Sequence, residues 1–276
     1  MEDLAWKVKR LLRRAGVRPR RKLGQSFMVD ESLLIRLVDY GEVSSADRVL
    51  EIGAGLGFLT EVLARRAGVV LAVEAAPKLY RLLEARFSRR GNVRLYLGDF
   101  LKLKLEGSYD KVISNPPYSI ASPLLFRIFE SPFKLAVLTL QKEFAERLNA
   151  EPGGKNYGRL TVAAYYWAEV EILEEASPEA FYPPPEVSSM VVRLKPRRQP
   201  PFKLENYRFF SETVKLLFSQ RRRKLSKALQ TLVKLKPEIG LKKPFTGVPY
   251  LNRRVFTLTP EEFAELANMF WRLRQG

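Results

Sequence analysis

The tetrapeptide Asn115-Pro116-Pro117-Tyr118 follows a short apolar run, Lys111-Val112-Ile113-Ser114, and carries the most specific chemistry in the chain. Proline fixes its own φ and holds the residue before it extended, so the pair stiffens the backbone. A backbone of that shape can aim the side-chain oxygen of Asn115 and the carbonyl of Pro116 at one point. Two acceptors at one point suit the exocyclic amine of a nucleobase. The lone pair of such an amine is delocalised into the ring, and accepting its two N–H groups favours the pyramidal, nucleophilic form. The methyl of a sulfonium donor is already activated, so the protein need only hold donor and amine in line. Tyr118 offers a flat face on which a base can stack. This chemistry needs neither a metal nor a strong base, and the chain has no His and no Cys.

Three further signals stand upstream, each at the edge of an apolar run. Glu51-Ile52-Gly53-Ala54-Gly55-Leu56-Gly57 opens a helical pattern, and its glycines let the backbone turn sharply and approach a ligand closely. Alone, that turn fits a dinucleotide-binding fold or a methyltransferase. Glu74 ends the next run, where an acid can accept from both ribose hydroxyls of a nucleoside cofactor. Asp99, within Gly98-Asp99-Phe100, closes the third run, where a carboxylate can bond the amine of a cofactor adenine. Ligands of open parallel sheets sit at the carboxyl ends of the strands. Gly53, Glu74, Asp99 and Asn115 fall at four successive strand ends.

The elements that must position them alternate. Strands are expected at 48–52, 69–73, 93–97, 111–114 and 135–140, with helices at 57–67, 77–90, 122–130 and 141–149. The pattern predicts an α/β fold, a mainly parallel sheet with helices on both faces. Ahead of it, 4–14 reads as a basic helix, 16–24 as a loop and 30–40 as a helix capped by Asp30. Behind it, 157–167 reads as a helix, 169–175 and 187–194 as late strands, and 195–203 as a linker. Residues 206–235 read as one long amphipathic helix or a pair, and 260–273 as a helix opened by Thr259-Pro260 with Glu261 and Glu262 in its first turn. The expected organisation is a basic extension over 1–28, a catalytic domain over 29–195, and a linker with a small helical basic domain over 196–276. Glu143 and Arg147, one helical turn apart, are expected to form a structural pair.

Of the 276 residues, 48 are Lys or Arg and 30 are Asp or Glu, a formal net charge of +18. Residues 1–28 carry +7 and residues 195–276 carry +13, while the segment between them carries −2. Basic flanks around a near-neutral body suit a nucleic acid, because each phosphate neutralised releases counterions. A Lys/Arg-rich, Cys-free composition also suits adaptation to heat. The absence of Cys and His excludes thiol catalysis, a Ser-His-Asp triad and Cys- or His-ligated metals, so no metal is expected. No apolar run approaches the ~18 residues that cross a bilayer, and Met1-Glu2-Asp3 lacks the order of a signal peptide. A cytoplasmic, monomeric protein without membrane contact is the expectation.

The whole chain resembles the KsgA/Dim1 family of small-subunit ribosomal RNA adenine dimethyltransferases, in its archaeal branch. The resemblance rests on Arg21-Lys22-Leu23-Gly24-Gln25-Ser26-Phe27-Met28, Glu51 to Gly57, Glu74, Asp99, and Asn115 to Tyr118. It extends through Gln141-Lys142-Glu143 with Arg147, Tyr157-Gly158-Arg159-Leu160, Phe181 to Ser189, and Phe218 to Leu225, which is similar to the family's basic C-terminal helix. The resemblance implies a Rossmann-like class I methyltransferase domain with a small all-helical C-terminal domain. It implies S-adenosylmethionine as cofactor and N6,N6-dimethylation of two adjacent adenosines near the 3′ end of small-subunit rRNA, within the immature small subunit. By resemblance, Gln25, Ser26, Met28, Gly53, Gly55, Gly57, Glu74, Asp99 and Asn115 line the cofactor site. Asn115, Pro116 and Tyr118 receive the amine, and Phe181 stacks on the flipped adenine. Ser26 stands where many relatives carry a larger polar residue, so its contact could run through the backbone; Met28 replaces the usual Leu. Arg20, Arg21 and Lys22, with Arg221, Arg222, Arg223 and Lys224, are expected to grip RNA phosphates. The alternatives are an adenine methyltransferase acting on large-subunit rRNA or DNA, and an RNA-binding assembly factor whose catalysis is dispensable.

Overall fold

The computed structural model describes residues 4–19, 24–239, 241 and 244–275. In chain order the elements are α1 (Leu4–Arg14), β1 (Phe27–Met28), α2 (Glu31–Tyr40), β2 (Arg48–Ile52), α3 (Phe58–Ala64), β3 (Val69–Glu74), α4 (Pro77–Phe87), β4 (Val93–Leu97) and β5 (Lys111–Ser114). There follow α5 (Ala121–Phe129), β6 (Leu135–Gln141), α6 (Lys142–Glu146), α7 (Arg159–Trp167), β7 (Ala168–Ala176), β8 (Phe181–Tyr182), β9 (Ser189–Pro196), α8 (Tyr207–Phe218), α9 (Leu225–Leu235) and α10 (Pro260–Gln275).

Seven strands form one sheet in the order β4-β3-β2-β5-β6-β9-β7. The run from β4 to β6 is parallel, with Leu50 opposite Leu71 and Val112 opposite Ala136; β9 returns antiparallel to β6. Val49, Leu50, Val70, Leu71, Val112 and Val137 are fully buried, as expected of strands covered by helices on both faces. From β2 the chain winds outward through β3 to β4, then returns to lay β5 on the other side of β2. The strand order therefore reverses between β2 and β5, the place where such sheets bind ligands. Both strands end in residues singled out above, Gly53 and Asn115.

Two compact units share the chain. The described residues up to Ala145 join Val170–Pro196 in the first, and Glu146–Glu169 join the described residues from Arg197 onward in the second. The sequence pattern places 146–169 in the catalytic domain, but Tyr157 and Val162 belong to the core of the second unit, with Phe210, Leu217, Phe263 and Phe270. The Tyr157 hydroxyl donates to the Leu258 carbonyl at 2.7 Å inside that core. The expected helix over 141–149 divides accordingly. α6 ends at Glu146 and a 3-10 turn occupies Arg147–Asn149, so the expected helical pair of Glu143 and Arg147 does not lie on one α-helix.

Capping follows the sequence closely. Asp30 Oδ1 accepts from the Leu33 N–H at 2.9 Å at the start of α2. Thr259 and Glu262 exchange bonds at the start of α10, a reciprocal capping box. The stretch 206–235 resolves into the pair α8 and α9. The basic run Arg221–Lys224 lies in the turn between them rather than on a helix. Its backbone is held against 253–256, where the Val255 N–H donates to the Arg223 carbonyl at 3.0 Å and Phe256 N–H to the Arg221 carbonyl at 3.1 Å. Among the described residues, no helix is long and apolar enough to cross a membrane.

Candidate active site

The floor of the site is the turn after β2. Gly53 has φ +80, a conformation that favours glycine, and a Cβ there would lie 2.9 Å from Pro117 Cδ. That close approach brings the ends of β2 and β5 together. Ser114 reinforces it: buried at the end of β5, its hydroxyl donates to the Ile52 carbonyl at 2.6 Å. Gly55 donates its N–H to Glu74 Oε2 at 2.8 Å, and Ala76 donates to Glu74 Oε1 at 2.8 Å. Glu74 thus ties the glycine turn to the end of β3. Its burial raises the carboxyl pKa, and the backbone N–H groups of Ala76, Gly55 and Ala75 oppose that rise. Gly57 sits behind the turn as the N-cap of α3, packed beneath Leu83 and Phe87.

Beneath the turn lies a second acid. Glu51 is 2 % exposed, and its Oε2 accepts from the Thr60 hydroxyl at 2.6 Å. Burial pushes its pKa up to about 8, against the lowering effect of the Thr60 bond. At neutral pH this carboxyl is mainly protonated, so the turn has a polar but uncharged underside.

Two neighbouring spaces open above these residues. A cleft of about 850 Å³ is lined by Gly53, Glu74, Asp99, Phe100, Pro117 and Ile120. Asp99 is half-buried, and its Oδ1 accepts from the Leu101 N–H at 2.9 Å, which fixes the carboxylate at the cleft wall. A recess of about 80 Å³ shares Gln25, Gly53, Glu74 and Pro117 with the cleft and extends to Ser26, Met28, Gly55 and Asn115. Gln25, Ser26, Met28, Gly53, Gly55, Glu74, Asp99 and Asn115 are therefore brought together as the sequence leads one to expect.

Asn115 and Tyr118 are anchored differently. Asn115 Nδ2 donates to the Ser26 carbonyl at 3.3 Å, which leaves Oδ1 as the acceptor on the other side of the amide. Pro116 is buried directly after it. The Tyr118 hydroxyl is hydrogen-bonded to Ser189 Oγ at 2.6 Å, and burial raises its pKa. Ser189 is fully buried at the start of β9, so this bond fixes the position of the Tyr118 hydroxyl.

Some expected placements differ. Phe181, like Gly57, Pro116 and Tyr118, does not line either space: it is 2 % exposed, pairs with Met28 in the β1–β8 ladder and belongs to the first unit's core. A ring sealed in that way has no face for an incoming purine. Its neighbour Tyr182 is half-buried beneath the Lys9 ammonium, 5.1 Å from the ring centroid. The Ser26 hydroxyl donates to the Pro183 carbonyl at 2.6 Å, so it serves the proline-rich segment after β8. Arg20, Arg21 and Lys22 lie outside the described residues. Arg222, Arg223 and Lys224 are exposed, but Arg221 is not a free surface cation. Its Nη1 and Nη2 donate to the Lys155 carbonyl at 3.1 Å, and Nη2 also donates to those of Gly154 and Tyr157 at 3.2 and 3.1 Å. Sequence reasoning missed the link to Ser189, the buried Glu51–Thr60 pair, and Lys78 and Arg81, which line the outer cleft. The spacing of Lys78 and Arg81, three apart on the helix that follows Glu74, was the available signal.

A sheet of this order, with β9 antiparallel beside β6 and a cleft at the reversal point, is the fold of Rossmann-like class I methyltransferases. The solved structures agree. A dimethyladenosine transferase from Plasmodium falciparum is 27% identical with a TM-score of 0.74, covering 90% of this chain and 98% of that one. The 23S rRNA methyltransferase ErmE is 26% identical with a TM-score of 0.63, covering 90% and 99%. Proteins named "Probable ribosomal RNA small subunit methyltransferase A" are 44% identical in Methanosarcina acetivorans, over 91% of this chain and 93% of that one, and 40% identical in Methanothermobacter thermautotrophicus, over 97% and 96%. The family described as "Ribosomal RNA adenine dimethylase" matches residues 16–270. The chain belongs to that family and is an S-adenosylmethionine-dependent methyltransferase.

The residues present fit that cofactor. Glu74 presents a carboxylate at the end of β3, Asp99 presents another at the end of β4, and both line the cleft with the backbone of Gly53. Among the described residues, no group of three or more His, Cys, Asp or Glu could hold a metal ion.

Proposed function

We propose that this enzyme dimethylates N6 of two adjacent adenosines near the 3′ end of small-subunit rRNA, acting on the immature small subunit in the cytoplasm as a monomer. The observation that carries this reading is the Asn115 amide, which lines the recess, whose Nδ2 is committed to Ser26 and whose Oδ1 is therefore left as an acceptor. S-adenosylmethionine supplies an electrophilic methyl. Glu74 holds the ribose hydroxyls and Asp99 the adenine amine. Asn115 Oδ1 and the Pro116 carbonyl accept the N–H groups of the target amine, drawing its lone pair out of the ring. Tyr118, anchored at its hydroxyl by Ser189, stacks on the base. Binding energy is thus spent on orientation, which suits a donor needing no further activation.

The small subunit is favoured over the large one because the relatives named for the small-subunit rRNA reach 44% identity, against 26% for the 23S rRNA enzyme. Exposed Arg222, Arg223 and Lys224 supply phosphate contacts without base choice. The test is incubation with labelled S-adenosylmethionine and immature small subunits, followed by mapping of modified bases. Two adjacent dimethyladenosines in the small-subunit rRNA are expected. Label confined to large-subunit rRNA or DNA would replace this reading.

A further inference from the structure

Asn115 has two ways to sit. Rotating its amide by half a turn exchanges the oxygen for the NH₂ and would present donors, not an acceptor, to the target amine. Ser26 opposes that rotation. Its carbonyl accepts from Asn115 Nδ2 at 3.3 Å, so a rotated amide would set oxygen against oxygen. The Ser26 hydroxyl holds the same residue in place from the other side, donating to the Pro183 carbonyl at 2.6 Å. The flanking chain leaves little slack. A Cβ at Gly24, where φ is +65, would lie 3.0 Å from the Tyr118 nitrogen, and one at Gly55 would lie 3.2 Å from Phe27 Cε1. Residues 24–28 therefore bridge the Asn-Pro-Pro-Tyr turn, the glycine turn and, through the β1–β8 ladder, the proline-rich segment.

We propose that Ser26 is a positioning residue: by joining Pro183 through its hydroxyl and Asn115 through its carbonyl, it fixes which atom of the Asn115 amide faces the target amine. The inference rests on the reading of Asn115 as the acceptor of that amine. It assigns the Ser26 side chain to the orientation of a catalytic group and not to cofactor affinity. A hydroxyl on a small side chain is what this role needs, since only the hydroxyl reaches the Pro183 carbonyl.

The experiment compares wild type, Ser26→Ala, Ser26→Cys, Ser26→Thr and Asn115→Ala. It uses the full chain, with labelled S-adenosylmethionine and immature small subunits for kinetics and calorimetry for cofactor binding. Ser26→Ala is expected to lower kcat by about tenfold, the order of effect that a slight misplacement of a reacting group produces. Both KM values and the cofactor Kd should stay within about twofold, because the substitution disturbs orientation and leaves ground-state binding alone. Ser26→Thr keeps the hydroxyl and should restore kcat. Ser26→Cys, a weaker donor of similar size, should fall between and serves as the reading if the Ala variant folds poorly. Unchanged kcat in Ser26→Ala and Ser26→Cys, or an effect confined to cofactor Kd, overturns the inference while leaving Asn115 in its role. Full activity in Asn115→Ala overturns the role of Asn115 itself.

Discussion

Replacing Arg221 should destabilise the second unit whether or not it weakens an RNA contact. The guanidinium donates to the carbonyls of Gly154, Lys155 and Tyr157, and its carbon lies 5.5 Å from the Phe256 ring centroid. Those carbonyls belong to the loop that leads into α7, and Tyr157 is anchored in turn to Leu258. Hydrogen bonds to a charged donor contribute roughly 1.5–3 kcal/mol each. Here they share one partly exposed group, and solvent screening lowers the sum, so Arg221→Ala should cost about 2–3 kcal/mol. Arg222→Ala and Arg223→Ala, at exposed positions, should stay within about 0.5 kcal/mol. Urea unfolding followed by the fluorescence of Trp167 and Trp271, with Trp6 replaced by Phe, reads the second unit. The Arg221→Ala midpoint should fall by roughly 1–2 M. Arg221→Lys should not restore it, because an ammonium cannot span three carbonyls as a planar fork does. An unmoved midpoint, with RNA affinity reduced as in Arg222→Ala, would refute the structural role.

Charge and pH give further expectations. Converting Arg222, Arg223 and Lys224 together to Ala should weaken RNA binding and reduce the slope of log K against log salt by roughly 2, at about 0.7–0.9 for each phosphate no longer neutralised; an unaltered slope removes this turn from the RNA interface. Glu51 binds a proton more tightly in the folded state than in the unfolded chain, because burial raises its pKa to about 8. Stability must therefore decline as pH rises from about 4.5 through 8, and Glu51→Gln, which keeps an acceptor for Thr60, should flatten that decline in thermal melts between pH 6 and pH 9. Identical pH profiles for the two proteins would contradict the burial of a protonated acid. Asn115→Ala should abolish methyl transfer while RNA binding, measured by filter retention, stays nearly intact.

The four strand-end residues were legible because each sits directly after a run of apolar residues, where periodicity and position agree. Gly53, Glu74, Asp99 and Asn115 needed no knowledge of distant chain. What the sequence hid is tertiary. β1 and β8 are two residues each, too short to leave a periodic trace, yet their pairing carries Ser26 to Pro183 and buries Phe181. Residues 219–224 contain no Pro or Gly, so the amphipathic pattern runs on through a turn that only packing against 253–256 imposes. Arg221 looks like its neighbours in composition; its partners at 154–157 are more than sixty positions away. The same gap explains 146–169, whose aromatic and aliphatic residues match either core until Tyr157 meets Leu258.

The central claim is that donor and target amine meet at the carboxyl ends of β2 and β5, with the Asn115 oxygen turned toward the amine. A crystal structure with S-adenosylhomocysteine and an adenosine-containing oligonucleotide tests it most directly. The account predicts ribose hydroxyls on Glu74, the cofactor's adenine amine on Asp99, and the target N6 within hydrogen-bond distance of Asn115 Oδ1 and the Pro116 carbonyl. A cofactor bound away from Gly53 and Glu74, or an Asn115 amide presenting its NH₂ to the base, would contradict it.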